Sequence, residues 1–202
     1  GSRDRAAADK AAEDSPWEHL GVSPEDLGKA VGQVVGDADI DVLLPFAQRL
    51  WNEPVWEFKL AGLKALALGH VGASDALWAF VCDSVKQLDG PTLSGALAEV
   101  AAKCLVDTEA RLDEVEAWAK SRNPWVRGTA LAATLPWAAE GRDPERMLGW
   151  AADLAGDQAP AVQGAIGDWL RALADHDATR RNAFLAEHGE TLSAEARREA
   201  EK

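Results

Sequence analysis

The stretch Pro124-Trp-Val-Arg-Gly-Thr-Ala, residues 124–130, contains the pattern that decides the fold. In three other stretches, too, a proline is followed two positions later by an apolar residue and four positions after that by a second one. They are Pro54-Val-Trp-Glu-Phe-Lys-Leu, Pro91-Thr-Leu-Ser-Gly-Ala-Leu and Pro160-Ala-Val-Gln-Gly-Ala-Ile. Proline suits the first turn of a helix, because its missing N–H would have no intrahelical partner there. Each stretch therefore predicts the start of a helix, and the prolines are 37, 33 and 36 residues apart.

The segments between these prolines supply a second helix for each unit. Apolar residues recur at spacings of three and four over roughly residues 41–52, 74–88, 109–122 and 144–156, which is the pattern of a helix with one buried face. Two helices in a period of 33 to 37 residues are typical of HEAT, armadillo and TPR-like repeats, which bury a continuous core by stacking. The sequence therefore predicts an all-α, right-handed HEAT-like helical-repeat solenoid, an ARM/HEAT superhelix, with a concave groove.

The first residues differ in composition from the rest of the chain. Gly1-Ser2 is typical of a cloning scar, and the charged, alanine-rich run 3–15 has little apolar surface to bury. We therefore predict a disordered leader over residues 1–15. The chain has 202 residues, of which 47% are hydrophobic, and this is enough for one sizeable core. A single HEAT-like repeat domain is expected over residues 16–202.

Several classes of protein find no support in the sequence. No stretch approaches the roughly 20 apolar residues of a membrane span, and no signal segment opens the chain, which favours a cytoplasmic protein. Cys82 and Cys104 lack metal-ligand or disulfide-framework spacing, so buried thiols are expected. The four histidines are scattered and form no metal-binding pattern on a helix. Neither phosphate-binding glycine motifs nor a nucleophile elbow is present, so no metal and no cofactor are predicted.

The charge of the chain bears on its partners. A net charge of -13 and a pI near 4.7 disfavour a general nucleic-acid binder, because affinity for phosphate comes mainly from Lys and Arg. Contact with duplex DNA would require a local basic patch, for which Lys86, Lys103, Arg127 and Arg171 are candidates. The alternative is that these side chains are simply solvated and that the partner is a protein.

Four stretches resemble the AlkD-type family of HEAT-like DNA glycosylases, and the likeness extends from about Trp17 to the C-terminus. They are His19-Leu-Gly-Val-Ser-Pro-Glu, Arg49-Leu-Trp-Asn-Glu-Pro-Val-Trp-Glu-Phe-Lys-Leu-Ala, Arg122-Asn-Pro-Trp-Val-Arg-Gly-Thr-Ala and Val162-Gln-Gly-Ala-Ile-Gly-Asp-Trp-Leu-Arg-Ala-Leu. Members of that family excise cationic alkylated purines, so the resemblance implies a concave DNA-binding face. It also implies an aspartate, two tryptophans and an arginine at the site. A carboxylate can stabilise positive charge that develops on the sugar, and aromatic faces can hold a cationic base.

This sequence departs from the family pattern at each of those positions. In the register set by the prolines, the aspartate falls at Ser94 and the preceding tryptophan at Gly90, while the arginine falls at Gly128 and the second tryptophan at Asp168. A serine hydroxyl carries no negative charge and glycine has no aromatic face. Arg127 and Trp169 are immediate neighbours of two of these positions, but adjacent helical residues point about 100° apart. We therefore expect no confident catalytic residue.

Other residues are candidates for the carboxylate and for the lining of a groove. If the register slips, Asp89 becomes the candidate carboxylate, although an ordinary loop or capping role near Pro91 would also explain it. Trp56, Trp78 and Trp169 are the candidates for lining a groove, beside the basic side chains of Lys86, Arg127 and Arg171. The other helical tryptophans are expected in the core, where a large aromatic ring fills the space between repeats.

Three hypotheses follow from the sequence. The first is a catalytically degenerate relative of the AlkD-type enzymes that acts as a DNA- or protein-binding scaffold, so that the chain leans away from being an enzyme. The second is an active alkylpurine DNA glycosylase with a relocated carboxylate, either Asp89 or Asp168. The third is a protein-interaction solenoid with no DNA role, which the net charge of -13 favours.

Overall fold

The computed structural model describes residues 2–13, 15–68, 70–106 and 108–202. These residues form α-helices joined by short turns, and the described ranges contain no β-strand beyond an isolated bridge between Glu18 and Val55. The helices are α1 (Arg3–Glu13), α2 (Pro24–Val35), α3 (Ile40–Trp51), α4 (Trp56–Ala67), α5 (Asp75–Ser84), α6 (Pro91–Leu105), α7 (Leu112–Ala119), α8 (Pro124–Ala133), α9 (Leu135–Ala139), α10 (Glu145–Leu154), α11 (Pro160–His188) and α12 (Ala194–Ala200). Short 3₁₀ turns at Val85–Gln87 and Glu109–Arg111 follow α5 and precede α7. The predicted all-α class is therefore confirmed.

Three of the four repeat prolines begin a helix as predicted. Pro91, Pro124 and Pro160 are the first residues of α6, α8 and α11. Pro54 is different, because α4 begins two residues later at Trp56. The Pro54 carbonyl accepts a hydrogen bond from the Glu18 amide, and Val55 pairs with Glu18 in extended conformation. This short pairing holds residues 54 and 55 out of the helix.

The segment for which the sequence predicts disorder contains a helix. Residues Arg3–Glu13 form α1, and its Glu13 is buried. Residues 1 and 14 of the predicted leader lie outside the described residues. Alanine favours the helix locally, and Glu13 supplies a contact that composition alone does not reveal. That contact lies beside the candidate site described below.

The first compact unit, Gly1–Cys104, is built on helix pairs. Helix α4 packs on both α2 and α3, and its buried face runs through Trp56, Leu60 and Leu63. Because α4 is buried on several sides, its polar residues Glu57 and Lys59 are also enclosed, with exposures of 1% and 2%. These two charges therefore need partners inside the unit.

The second compact unit, Leu105–Lys202, is organised around α11. This helix packs on α8, α9 and α12, and α7 packs on α8. Its core includes the fully buried side chains of Leu131, Met147, Ile166 and Trp169. Helix α11 is interrupted at Asp177, whose φ of -142° and ψ of 71° are not helical. The part of α11 before this kink carries the family-related residues of the sequence analysis.

Candidate functional site

A cluster of two tryptophans, a lysine and an aspartate lies within the first unit. We call it the Trp17 cluster, and it consists of Trp17, Trp51, Lys59 and Asp89. The Lys59 ammonium is 3.9 Å from the centre of the Trp17 ring and 5.0 Å from that of the Trp51 ring. It also donates a hydrogen bond to the Trp51 carbonyl oxygen. An ammonium between aromatic faces is a favourable cation–π arrangement, and its strength rises as water is excluded.

The two charged groups of the Trp17 cluster have shifted pKa values. Burial lowers the pKa of the Lys59 ammonium, and the nearby Asp89 carboxylate opposes that shift. Burial also raises the pKa of the Asp89 carboxyl, against the opposing influence of the Trp17 indole N–H and of Lys59, while Glu13 adds to the rise. Both shifts disfavour the charged form, as expected where desolvation exceeds local attraction.

Asp89 lacks the hydrogen bonds that a buried carboxylate normally has. Both of its oxygens are buried, and neither has a partner within ordinary hydrogen-bond geometry among the described residues. The Trp17 indole nitrogen is buried without such a partner as well, although it lies close enough to lower the Asp89 pKa. The two groups are therefore neighbours whose hydrogen bond is long or poorly aligned, and such unpaired buried groups are uncommon.

Helix α1 reaches the edge of this cluster through Glu13. The Glu13 carboxylate accepts a hydrogen bond from the Thr92 amide at 3.2 Å and another from the Thr92 hydroxyl. A methyl group at Gly90 would meet the Glu13 carboxylate and would come within 2.9 Å of the Glu13 carbonyl oxygen. Gly90, where the register places the family's first tryptophan, is therefore the residue on which α1 rests. No larger side chain fits there in this arrangement.

Ser94, where the register places the family's aspartate, has a local structural role. Its hydroxyl donates a hydrogen bond of 2.6 Å to the Gly90 carbonyl oxygen one turn earlier in the chain. The residue is 8% exposed. A neutral hydroxyl directed at the backbone just before its own helix carries no negative charge.

Trp56 is a core residue, in contrast to the sequence prediction that it lines a groove. It is 2% exposed, and its ring stacks on His19 with 5.0 Å between centroids. Glu57 beside it accepts hydrogen bonds from the amides of Leu20, Gly21 and Val22 at 2.7 to 3.2 Å. Together they fix the loop 19–22 against α4, because three amides directed at one carboxylate form a strong local anchor.

The remaining candidates of the first unit are not gathered around the cluster. Trp78 is buried at 7% exposure in α5, so its ring packs in the interior. Lys86 is exposed and pairs with Asp83 at 2.9 Å, one helical turn away. Lys103 donates hydrogen bonds to the carbonyl oxygens of Leu66 and Leu68. These cations serve local contacts, and a pair as exposed as Lys86–Asp83 contributes little to stability.

In the second unit, Arg127 is a structural clamp. Its Nε donates to the Asp157 carboxylate at 2.7 Å, and one terminal nitrogen donates to the carbonyl oxygens of Ser121 and Arg122. Burial acts to raise the pKa of Asp157, but the hydrogen bonds from Arg127 and the Ala159 amide hold it below its usual value. All three donor directions of this guanidinium that the structure describes are directed at the protein itself. Arg127 therefore joins two turns of the unit through two of its three nitrogens.

Gly128 and Trp169 both take part in the packing of α8 against α11. A methyl group at Gly128 would lie 2.9 Å from the Ala161 carbonyl oxygen, so the helix approach requires glycine. Trp169 is fully buried, and its indole N–H donates to the Thr134 carbonyl oxygen at 3.3 Å. The sequence placed Trp169 among groove-lining residues, but this ring is part of the core.

Asp168 and Arg171 are the two sequence candidates of the second unit that reach solvent. Burial and the neighbouring Glu199 carboxylate raise the pKa of Asp168, against the influence of Arg171 and Lys202. Arg171 pairs with Glu199 at 3.0 Å and lies 4.0 Å from Asp168. A cavity of about 400 Å³ lies beside them between α11 and α12, and its charged lining residues are Asp168, Glu195 and Glu199. Its acidic lining suits no phosphate backbone.

The sequence analysis did not single out three residues of the first unit: Trp17 and Lys59, which belong to the Trp17 cluster, and Glu13, which lies at its edge. Lys59 carries a signal, since it lies three residues after Trp56 and four before Leu63, on a face that is otherwise apolar. Trp17 is close to the resemblance motif at 19–25 but has no periodic context. Glu13 carries no signal, because its importance depends on a contact 79 residues away.

The described ranges lack two further structural features. They contain no group of three or more His, Cys, Asp or Glu residues placed to hold a metal ion. They also contain no helix with the length and apolar character of a membrane span. Cys104 is buried and Cys82 is half-buried, and neither forms a disulfide.

One family model matches nearly the whole chain, and solved structures share its fold. A family model described as DNA alkylation repair enzyme matches residues 3–202. Among solved structures, the chain is similar to a protein described as a predicted DNA alkylation repair enzyme from Enterococcus faecalis, with 16% identity and a TM-score of 0.79 over 100% of this chain and 95% of that one. It is also similar to smu.31 from Streptococcus mutans UA159, with 17% identity and a TM-score of 0.63 over 88% of this chain and 91% of that one. A search of curated protein sequences finds no significant match.

Proposed function

Because the chain belongs to the DNA alkylation repair enzyme family, we propose that it is a catalytically degenerate member that acts as a binding scaffold, for DNA or for a protein, and does not excise bases. The observation that carries this proposal is the state of Ser94. Its neutral hydroxyl is committed to the Gly90 carbonyl oxygen, at the position where the resemblance implies a carboxylate. Base excision through an oxocarbenium-like sugar depends on negative charge near the reacting carbon, and this position supplies none.

The aromatic residues of the Trp17 cluster support the same conclusion. A cationic base would need open aromatic faces with room for a planar group. The faces of Trp17 and Trp51 already hold the Lys59 ammonium, which is tied to the Trp51 carbonyl. Because Lys59 belongs to the same chain, an incoming cation would have to displace a group present at very high effective concentration. The cluster is thus occupied by the chain's own cation.

The ion pairs of the basic candidate residues bear on whether the partner is DNA or a protein. Lys86, Arg127 and Arg171 are each paired with a carboxylate at 2.7 to 3.0 Å, and the net charge is -13. Neutralising phosphates requires cations that are free to leave their partners. The net charge favours a protein partner over a DNA backbone, although family membership keeps DNA as a partner to be tested.

One observation favours the second candidate function, an active alkylpurine glycosylase that uses Asp89. Among the residues of the first unit that the structure describes, this carboxylate has both oxygens buried and unpaired, and burial raises its pKa. Shifted and unpaired carboxyl groups concentrate at active sites. Asp168 fits this role less well, because it lies beside the Glu199 carboxylate and Arg171.

The test combines binding and chemistry on one preparation. Labelled duplex DNA is titrated at low and moderate salt by fluorescence anisotropy, and release of 7-methylguanine from alkylated DNA is measured in parallel. We expect no release above the rate without protein. Release that is lost in Asp89→Asn but kept in the exposed control Asp153→Asn would contradict the proposal and assign an excising role to Asp89.

The salt dependence separates the remaining partners. Binding without release, weakening steeply as salt rises, would identify a non-catalytic DNA reader. Absence of binding at micromolar protein would leave a protein-interaction solenoid without a DNA role, the third hypothesis, and pull-down with purified repair proteins would then be the next measurement.

A further inference from the structure

Helix α1 covers polar groups without burying an apolar face. The residues of α1 that are at least half-buried are Ala6, Asp9 and Glu13, which are three and four apart and so form one stripe of the helix. Two of these three side chains are carboxylates. Most helices of globular proteins are anchored by an apolar stripe, so α1 is anchored in a different way.

The anchors of α1 are two glycines and one threonine. Near the start of the helix, the Ser2 amide donates to the Gly21 carbonyl oxygen at 3.3 Å, and a methyl group at Gly21 would come within 2.8 Å of the Ala6 nitrogen. At its end, Glu13 rests on Gly90 and binds Thr92. Both ends are thus held by close backbone approach and hydrogen bonds, whereas the middle has no comparable contact.

A cleft open to solvent lies beside the middle of α1. This cleft has a volume of about 660 Å³ and lies between α1 and the loop 16–19. Its lining includes Ala6 and Lys10 on the helix and Trp17 and His19 on the loop. An 11-residue helix that leaves such a gap gains little from packing, and isolated helices of this length are marginal in water.

Electrostatics oppose the docked position at the end of α1. The Glu13 carboxylate raises the pKa of Asp89, so the two acidic groups are near enough to repel each other when both are ionised. Asp89 immediately precedes Gly90, the residue on which Glu13 rests. The hydrogen bonds from Thr92 therefore hold Glu13 in a place that its charged neighbour disfavours.

From these contacts we infer that α1 is a displaceable strap that closes the carboxylate–tryptophan site formed by Asp89 and Trp17. In the docked state, both Asp89 oxygens and the Trp17 indole nitrogen are buried and without well-formed hydrogen bonds. Displacement of α1 removes Glu13 from the edge of the site and exposes these groups to solvent or to a ligand. The inference concerns access to the site and holds whether or not the chain excises bases.

Two substitutions in the full chain are designed to release the strap. Glu13→Ala removes the carboxylate that binds Thr92. Gly90→Ala places a methyl group against Glu13 without changing α1 itself. The matched control for the second is Gly95→Ala in α6, the helix that Gly90 immediately precedes, because a methyl group there meets nothing within 4 Å. The control for the first is Asp4→Asn, which removes one charge from the exposed face of α1.

The first readout is hydrogen exchange of the amides of residues 3–13. We expect Glu13→Ala and Gly90→Ala to accelerate this exchange about tenfold, as for a segment whose local opening becomes easier, while the two controls leave it unchanged. The second readout is carbodiimide-driven labelling of Asp89, followed by peptide mass spectrometry. We expect several-fold faster labelling of Asp89 in the same two variants.

Three results would overturn the inference. Exchange of α1 at the rate of an unfolded peptide in the unsubstituted protein would show that the strap is not docked. Unchanged exchange in both variants would show that Glu13 and Gly90 do not hold it. Faster exchange of α1 without faster labelling of Asp89 would show that α1 does not cover the site. Far-UV circular dichroism of both variants identifies any that fails to fold, and the other variant then decides.

Discussion

Asp89 in the first unit and Asp157 in the second both lie near a cationic side chain, yet their pKa values shift in opposite directions. Burial raises that of Asp89, despite Lys59 and Trp17. That of Asp157 is lowered, because hydrogen bonds from Arg127 and the Ala159 amide exceed the effect of burial. The comparison shows that a nearby opposite charge does not by itself stabilise a buried carboxylate. Direct donors aimed at its oxygens are required.

The same contrast extends to the residues around each aspartate. Arg127 spends its donors on Asp157 and two carbonyl oxygens, and Gly128 and Trp169 pack tightly nearby in the same unit. Around Asp89, the Lys59 ammonium is engaged by Trp51 and leaves both Asp89 oxygens unpaired. In the second unit, Arg127, Gly128 and Trp169 therefore stabilise the fold. In the first unit, the Asp89 carboxylate and the Trp17 indole nitrogen are buried without well-formed hydrogen bonds.

The largest expected effect concerns the packing of Trp169 in the core of the second unit. Trp169→Ala removes a fully buried ring and its hydrogen bond to Thr134. We expect the free energy of unfolding to fall by about 3–5 kcal/mol, as for other large aromatic side chains removed from a core. Chemical denaturation monitored by circular dichroism measures it. Trp169→Phe, which keeps most of the volume, serves as the control and should cost clearly less; equal losses, or a loss below 1 kcal/mol in both, would contradict a core role.

Arg127→Ala tests whether the clamp stabilises the fold. Both partners of the Arg127–Asp157 pair are mostly buried, with side-chain exposures of 18% and 13%. Removal of Arg127 leaves a buried carboxylate short of donors, so we expect a loss of about 2–3 kcal/mol. A double-mutant cycle with Asp157→Ala isolates the coupling between the two side chains. A coupling near zero would show that the pair does not hold the unit together.

Gly128→Ala examines the close approach of α8 and α11. The added methyl group meets the Ala161 backbone, which cannot move independently, so we expect a loss of about 1–2 kcal/mol. The matched substitution is Gly164→Ala on α11, where a methyl group has open space. There we expect a gain of up to about 1 kcal/mol from helix propensity. Thermal unfolding of the two variants should therefore shift in opposite directions.

Much of the fold could be predicted because it depends on local chemistry. Proline at a first helical turn and apolar residues four apart act within one helix, and they place the starts of α6, α8 and α11 correctly. The start of α4 was misjudged because Pro54 and Val55 pair with Glu18, which lies 37 residues before Val55. The helical state of residues 3–13 was missed for a similar reason, since Glu13 is held by Thr92.

The candidate site could be predicted only in part, because identity and environment are separate properties. The sequence identifies Asp89 and Arg127 as candidate site residues. It does not show which of these side chains already has hydrogen-bond partners within the protein. Trp56 and Trp169 have apolar faces that suit a groove as well as a core, and neighbouring helices decide between the two. Lys59 was overlooked because its partners Trp17 and Trp51 come from different segments.

The smallest expected effects are those of substituting Asp89 and Asp157 themselves, and the two changes in stability have opposite signs. Asp89→Asn replaces a carboxyl whose folded pKa lies above the usual 3.8. For such a group the stability is complete below the unfolded pKa and is lost as the pH rises through the folded pKa. Asparagine carries no charge and does not titrate, so the variant avoids the cost of burying a carboxylate, and we expect it to be more stable than the parent at pH 7. The gain should vanish below pH 3.8.

Asp157→Asn should behave in the opposite way. The folded pKa of Asp157 lies below 3.8, so its stabilising contribution is complete above the unfolded pKa and is lost as the pH falls through the folded pKa. The variant should therefore be less stable than the parent at pH 7, and the deficit should begin to shrink as the pH falls below 3.8. Unfolding free energies of parent and variants from pH 3 to pH 8, with the exposed Asp153→Asn as control, decide the matter. If both variants lose stability with the same pH dependence, the Asp89 carboxylate has stabilising hydrogen-bond partners, as Asp157 does. The proposed difference between the two aspartates would then be wrong.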